Sequence, residues 1–410
     1  MSEAAPSRAQ PVRSADRLIT LDAVRGLAIL GILAVNIIGF AFPFGAYMDH
    51  GAAPQPMTPA AEGWLWVSNT FFHSKFITLF TLLFGASIYM VGGERKDPVR
   101  APLIPRRLLW LVVIALAHGL LLWWGDVLLL YAVTGLVVMT MRSMSARRLI
   151  VIGLSVTVLI SLLGAAGAVA IHFAPPEVQA SMEAQKAAMG GGPEAIAASI
   201  AAYRSGWAGM MSQNFAAWAQ LQFASLLFYS IPTAALMMLG MGLLKSGFMA
   251  GRAPAWVYGM LIVIGGAVLA GTAWTGWRVM VAPEGPEAAL GLDKAFAAFA
   301  FPVTLAYMSL VILLATRGAA WVVRPLAPVG RMAFTNYLTQ SLILTTIFVQ
   351  PWGPRLIGQV PWETLPLIVV GVWVLQLVWS PLWLSMFRMG PMEWVWRRLT
   401  YGPVPLGRDR

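Results

Sequence analysis

The side chains able to do chemistry in this 410-residue chain include four histidines and no cysteine. Without cysteine there is no thiolate nucleophile, disulfide framework or Cys-ligated metal. His118 stands inside an apolar run, Ala115-Leu116-Ala117-His118-Gly119, and Asp126 follows after Trp123-Trp124-Gly125. If the chain turns back there, the carboxylate comes within reach of the imidazole. It would orient the ring and stabilise its protonated form, as a general base requires. The plainer alternative is a lone structural histidine on an apolar helix. Asp22, Arg25 and Asn36 fall within about 60° of one another on a helix. Asp22 and Arg25 are i,i+3 neighbours that can pair, and Asn36 lies about 16 Å further along the same stripe. Downstream, Asn336, Tyr337, Gln340 and Ser341 interrupt another apolar segment, with Asn336 and Gln340 one turn apart on one face. Hydrogen bonding between helices would alone account for that pair. Lys75 is expected either to balance Asp126 or to snorkel to an interface. Arg331 is placed to meet an anionic group or a lipid headgroup. There is no GxxxxGK[ST], HExxH or GxSxG, and four histidines without cysteine suggest no metal site.

The elements carrying these residues read as membrane spans. Hydrophobic residues make up 59% of the chain and charged residues 11%, against about 25% charged in an average soluble domain. The fold class expected is an all-α, polytopic transmembrane bundle of about ten spans. The spans are Leu18–Phe42, Phe76–Val91, Leu108–Trp124, Val127–Met141, Leu149–Phe173, Ala217–Leu244, Trp256–Val281, Ala295–Ala315, Ala333–Val349 and Leu365–Phe387. The third and fourth form one apolar stretch broken only by Trp123-Trp124-Gly125-Asp126, read as a tight hairpin with two interfacial tryptophans. Trp64 to Phe72, before the short second span, reads as an interfacial segment.

Charge supports this layout with both termini inside. Of the 28 Lys and Arg, 21 then fall on the cytoplasmic side and five outside, leaving Arg25 and Lys75 within spans. That is the positive-inside pattern, and it explains the net charge of +11 without nucleic acid. Residues 1–17 read as a disordered cytoplasmic tail and 18–390 as a single transmembrane domain. Residues 174–213 form its long outer loop, either a lid or a connector. The final segment, 391–410, reads as an interfacial amphipathic piece and a cytoplasmic tail.

Residues at intervals along the whole chain resemble one family. The opening Leu21-Asp22-Ala23-Val24-Arg25-Gly26-Leu27-Ala28-Ile29-Leu30-Gly31-Ile32, ending in Val35-Asn36, resembles the YeiB-type bacterial membrane proteins, a group labelled as a domain of unknown function. The likeness continues through Lys75-Phe76, Leu82-Leu83-Phe84-Gly85-Ala86, His118-Gly119-Leu120-Leu121, Gly125-Asp126, Gly330-Arg331-Met332-Ala333 and Asn336-Tyr337-Leu338. It closes with Gly390-Pro391-Met392-Glu393-Trp394-Val395-Trp396-Arg397 and is weakest over 174–213. That family is similar to a wider group of transmembrane acyltransferases, including the lysosomal heparan glucosaminide acetyltransferases, which share an Asp-x-x-Arg-Gly opening.

The resemblance implies transfer of an acyl group, with acetyl expected, from cytoplasmic acyl-CoA to an acceptor at or across the bacterial inner membrane. Acyl-CoA is then a co-substrate, and no metal is implied. A catalytic histidine is implied too. In the lysosomal enzymes it follows the first span, where this chain has His50, but the segment matching the YeiB pattern carries His118. His118 is therefore taken as general base or transient acyl carrier, oriented by Asp126 with Lys75 balancing the charge. Arg25 and Arg331 attract phosphates; Asp22, Asn36, Asn336, Tyr337 and Gln340 complete the cavity. The partners expected are membrane lipid, a small-molecule, lipid or glycan acceptor, and a second copy of the chain. A transporter or lipid flippase using the same polar cavity is the alternative, and a non-catalytic structural or regulatory membrane protein the third reading.

Overall fold

The computed structural model describes residues 19–190 and 192–407. The expected tail at 1–17, Leu18, Gly191 and the last three residues lie outside the described residues. The described chain is all helical, with no sheet beyond a single bridge between Phe387 and Gly407.

The helices that position the site are α1 (Ile19–Ala41), α2 (Pro59–Val67), α3 (Lys75–Gly92), α4 (Leu103–Leu121), α5 (Leu128–Val138) and α6 (Ala146–Ala170). They continue with α7 (Pro176–Gly190), α8 (Gly192–Arg204), α9 (Trp207–Ala224), α10 (Ser230–Lys245), α11 (Ala255–Val281) and α12 (Ala300–Thr316). The last four are α13 (Leu326–Arg331), α14 (Ala333–Phe348), α15 (Leu365–Met386) and α16 (Pro391–Tyr401).

Among the described residues, seven helical stretches are long and apolar enough to cross a membrane. They include α1, α4, α11 and the continuous runs Pro59–Gly92 and Trp207–Lys245. The other three helices of the ten-span layout, Leu128–Met141, Ala300–Thr316 and Ala333–Phe348, are shorter. Helix α1 is the hub. Eighteen of its 23 residues are buried, and it packs on α3, α12, α13, α14 and α15. Helix α11 is the opposite case, with four buried residues in 27 and Trp256, Val263 and Trp274 exposed. A helix apolar on its open face needs lipid there.

Where α1 crosses α13, Gly26 lies against the Leu326 carbonyl and Gly330 against the Asp22 carbonyl, so that a Cβ at either would overlap backbone. Only glycine permits that approach, and it brings Arg25 and Arg331 to the same end of the bundle.

Several boundaries differ from the sequence reading. Residues 174–213, the long connection with an Ala-rich and helix-prone second part, are mostly helical: α8 buries Ile196 and Tyr203 in an aromatic layer with Phe42 and Trp362. The same layer covers Trp123 and Trp124, which are buried against protein. The Trp123 Nε1–H donates to the Gly39 carbonyl at 3.1 Å, and its ring stacks on Phe40 at 4.0 Å. With the indole donor satisfied, the side chain does not need the membrane surface. The sixth span begins ten residues early, at Trp207, and widens to a π-turn at Ser225–Tyr229. The second is preceded by α2 and a π-turn at Ser68–Phe72, then kinks at Ser74, whose φ of 63° is left-handed.

Candidate functional site

The α4–α5 hairpin turns over Leu122 to Val127, and this turn carries the first half of the site. His118 and Asp126 are buried, 2% and 3% exposed. The His118 Nδ1–H donates to Asp126 Oδ1 at 2.8 Å. The other carboxylate oxygen, Oδ2, accepts the Leu129 backbone N–H at 2.9 Å, so Asp126 also serves the unpaired N–H groups that begin α5. With Nδ1 bound to a carboxylate, a neutral imidazole presents Nε2 as acceptor. Ser341 of α14 fills that position, its hydroxyl 2.8 Å from Nε2. The result is a Ser–His–Asp chain within the bundle, a hydroxyl, an imidazole and a carboxylate hydrogen-bonded in series, an arrangement chemically able to move a proton from the hydroxyl.

Helix α9 braces the hairpin with a stripe at i, i+4 and i+8. Asn214 donates to the carbonyls of Gly119 and Leu120 at 2.8 and 2.9 Å, closing the end of α4. Trp218 lies against Gly119, where a Cβ would strike its indole. Gln222 donates to the Asp126 carbonyl at 2.6 Å. Tyr337, one turn before Ser341, sets its ring 5.2 Å from that of His118, and its buried hydroxyl lies beside the Val127 backbone N–H.

A cavity of about 470 Å³ opens at the other end of α4. Five arginines line it: Arg25, Arg100, Arg107, Arg331 and Arg397, against two acids, Asp22 and Glu393. Asp22 accepts from Arg25 Nη1 at 3.1 Å, and Arg107 stacks over the Trp396 ring at 3.6 Å. Arg331 donates to the Arg388 carbonyl at 3.1 Å; Arg100 is held by the carbonyls of Met90 and Val91. These anchors orient the guanidinium groups, each of which carries five donors in a plane suited to phosphate oxygens. Leu111, Leu128 and Phe334 are the wall residues nearest the triad in sequence. Helix α16 forms one wall and is pinned to α14: Glu393 accepts the backbone N–H groups of Phe334 and Thr335 at 2.7 and 3.1 Å, and the Thr335 hydroxyl. Burial pushes the Glu393 carboxyl above its ordinary range, and these hydrogen bonds oppose the shift.

The remaining sequence-selected residues are placed elsewhere. Asp22, Arg25 and Arg331 line the cavity, whereas Asn36 is half-buried and lines neither it nor the triad. Lys75 does not balance Asp126. Its ammonium donates to the Asn69 carbonyl at 2.8 Å, because the π-turn and the kink at Ser74 bring that carbonyl to it. Asn336 and Gln340 do not line the cavity either. Asn336 donates to the Val329 carbonyl and Ser380 at 3.0 and 3.1 Å and accepts from Trp379 at 2.8 Å. Gln340 donates to the Ile29 carbonyl and Gln376 at 3.2 and 2.9 Å. Both tie α14 to α1, α13 and α15. His50 lies beside that aromatic layer, its ring 5.5 Å from that of Trp362. Among the described residues, no group of three His, Cys, Asp or Glu side chains is arranged to hold a metal ion.

Sequence reasoning left Ser341 out of the site, along with Arg100, Arg107, Arg397 and the α9 stripe. Ser341 and Tyr337 are i,i+4 on one face, and Asn214, Trp218 and Gln222 recur every fourth residue. Those spacings were the available signals.

Residues 243–403 match a family model described as "Protein of unknown function (DUF418)". The chain is 31% identical over 409 residues to the uncharacterized protein YxaH of Bacillus subtilis (strain 168), covering 96% of this chain and 97% of the relative. It is 31% identical over 415 residues to the uncharacterized protein YeiB of Escherichia coli (strain K12), covering 94% and 96%. No solved structure matches.

Proposed function

This chain belongs to the YeiB-type family described as DUF418, and from that premise and the buried Ser–His–Asp chain we propose a membrane-embedded acyltransferase. It moves an acyl group from cytoplasmic acyl-CoA to an acceptor at or across the bacterial inner membrane. The observation that carries this reading is His118, held at 2.8 Å from both Asp126 and Ser341, above an arginine-lined cavity. A dry, oriented base over a basic pocket suits acyl transfer from a phosphate-rich donor better than it suits passage of a solute.

In this reading the arginines grip the phosphates of the CoA substrate, which enters from the cytoplasmic face. A cavity of about 470 Å³ is within the range of ligand pockets. The acyl-bearing end passes Leu111, Leu128 and Phe334 to reach His118. His118 Nε2 takes the proton of the attacking hydroxyl or amine and gives it to the departing thiolate. Asp126 holds the ring in the required tautomer and stabilises the imidazolium. Tyr337 supplies a hydroxyl for the developing oxyanion. Asn336 and Gln340 keep α14 in register, and Lys75 holds the turn before α3.

We read all ten apolar helices as spans, with both ends of the chain cytoplasmic and the arginine cavity therefore inside. The test of function is binding of CoA to purified protein, by calorimetry and by mass spectrometry of co-purifying molecules. Micromolar binding is expected; a protein that ignores CoA would return the cavity to a transport role. Fusions after Arg95 and Lys245 should report cytoplasm and those after Gly51 and Glu194 the outside.

A further inference from the structure

Resting on the acyltransferase reading, we propose that Ser341 is a covalent acyl carrier that divides the transfer into two half-reactions. The triad lies beyond the inner wall of the arginine cavity. On the cytoplasmic side, Leu111 is seven residues before His118 on α4, and Phe334 seven before Ser341 on α14, about 10 Å along each helix. On the opposite side the same helices end beneath the aromatic layer, where the void against Leu122, four residues after His118, and Val349, eight after Ser341, measures only about 10 Å³ and admits no acceptor. A donor bound in the cavity occupies the open side of this pair of residues, so an acceptor that comes by the same side must wait until CoA has left. Direct transfer needs both reactants within hydrogen-bond reach of His118 together. A carrier needs them one at a time.

Ser341 already holds the place a direct acceptor would require. Its hydroxyl, on a residue 1% exposed, sits on the only acceptor nitrogen a neutral, Asp126-bound His118 has. A merely structural serine in a helix would satisfy its hydroxyl on the carbonyl one turn back. Here that contact, to Tyr337, is a long 3.4 Å, and the ring nitrogen is the better partner. Tyr337, its ring 5.2 Å from that of His118, brings a hydroxyl to the same side of α14.

The chemistry balances. Ser341 Oγ attacks the thioester carbonyl carbon as His118 Nε2 takes its proton; the C–S bond breaks, and His118 returns the proton to sulfur, so CoA leaves as a thiol. The acyl group is then an ester on Ser341. An acceptor hydroxyl or amine attacks that ester while His118 takes its proton. The bond to Oγ breaks, and His118 returns the proton to Ser341. The first half needs no acceptor.

The absence of cysteine makes this half-reaction easy to read, because a thiol-reactive dye sees only released CoA. Full-length protein in detergent is mixed with acetyl-CoA, and separately with palmitoyl-CoA, without any acceptor. One equivalent of thiol per protein is expected with at least one donor. Intact mass should rise by one acyl group, peptide mapping should place it on Ser341, and hydroxylamine should remove it. Ser341→Ala should bind CoA as wild type does but release no thiol and carry no adduct. Ser341→Cys, which keeps a nucleophile should the alanine variant misfold, should carry a thioester. Wild type that binds CoA but forms no adduct overturns the carrier and leaves direct transfer standing. So does an adduct on His118, or a full burst from Ser341→Ala. Failure to bind CoA at all brings down both readings.

Discussion

The two polar regions of this bundle differ in almost every physical respect. The arginine cavity is open, positively charged and walled by long flexible side chains. The triad is enclosed, and the polar atoms of His118 and Asp126 are satisfied at 2.8–2.9 Å. Charge on the arginines is tolerable because water and ligand reach them, whereas an ion formed at His118 needs the fixed carboxylate beside it. Under the proposed function, binding belongs to the first region and proton movement to the second. Substitutions in the first should change affinity, and those in the second should change turnover.

Among substitutions that keep the fold and leave both His118 and Ser341 in place, Asp126→Asn should have the largest effect. It retains the shape but presents a donor or a neutral acceptor to Nδ1, and turnover should fall by roughly 10²–10⁴ with CoA affinity unchanged. If single-turnover thiol release is unaltered, Asp126 is only a cap for α5. In the cavity, Arg25→Ala or Arg107→Ala should each weaken CoA binding by about tenfold, the worth of one charge-assisted contact. Turnover at saturation should hold, and added salt should narrow the gap. Loss of turnover at saturating CoA would merge the two regions into one.

Smaller effects sharpen the contrast on α14 itself. Asn336→Ala strips buried bonds to Val329, Ser380 and Trp379 and should cost about 1–3 kcal/mol of stability. Activity per folded molecule should stay unchanged, as paired thermal-melt and thiol-release assays would show. The least effect concerns pH. Burial raises the Glu393 carboxyl in the folded state, so its contribution is full below the ordinary value of 4.5 and declines as pH rises through the raised one. Glu393→Gln should flatten that acid-side slope in a melt series. An unaltered slope would mean that another group sets it.

How much of this was legible follows from distance along the chain. The hairpin could be read because Trp123-Trp124-Gly125-Asp126 breaks a run too long for one span, and the turn puts Asp126 beside His118 eight residues away. Ser341 could not be joined to them, because its partner is 223 positions distant and a helix pattern does not say which neighbour each face meets. Asn336 and Gln340 drew attention as the amides on α14, yet it is the adjacent face, with Tyr337 and Ser341, that turns to His118. A rotation of about 100° per residue separates the two outcomes. Arg100, Arg107 and Arg397 were absorbed into topology, since cytoplasmic charge and ligand-binding charge look alike in sequence. The burial of Trp123 and Trp124 was hidden for a similar reason: helices α8 and α9, about 80 residues or more further along the chain, supply Tyr203 and Met210 to the layer around them.

The most direct test of His118 as the chemical centre is single-turnover thiol release from saturating acyl-CoA by His118→Gln protein. Glutamine keeps an N–H for Asp126, which avoids the 3–5 kcal/mol that an abandoned buried charge costs. The variant should bind CoA within about threefold of wild type and release thiol at least ~10³-fold more slowly. Release at the wild-type rate would contradict the assignment and leave the buried triad a structural network.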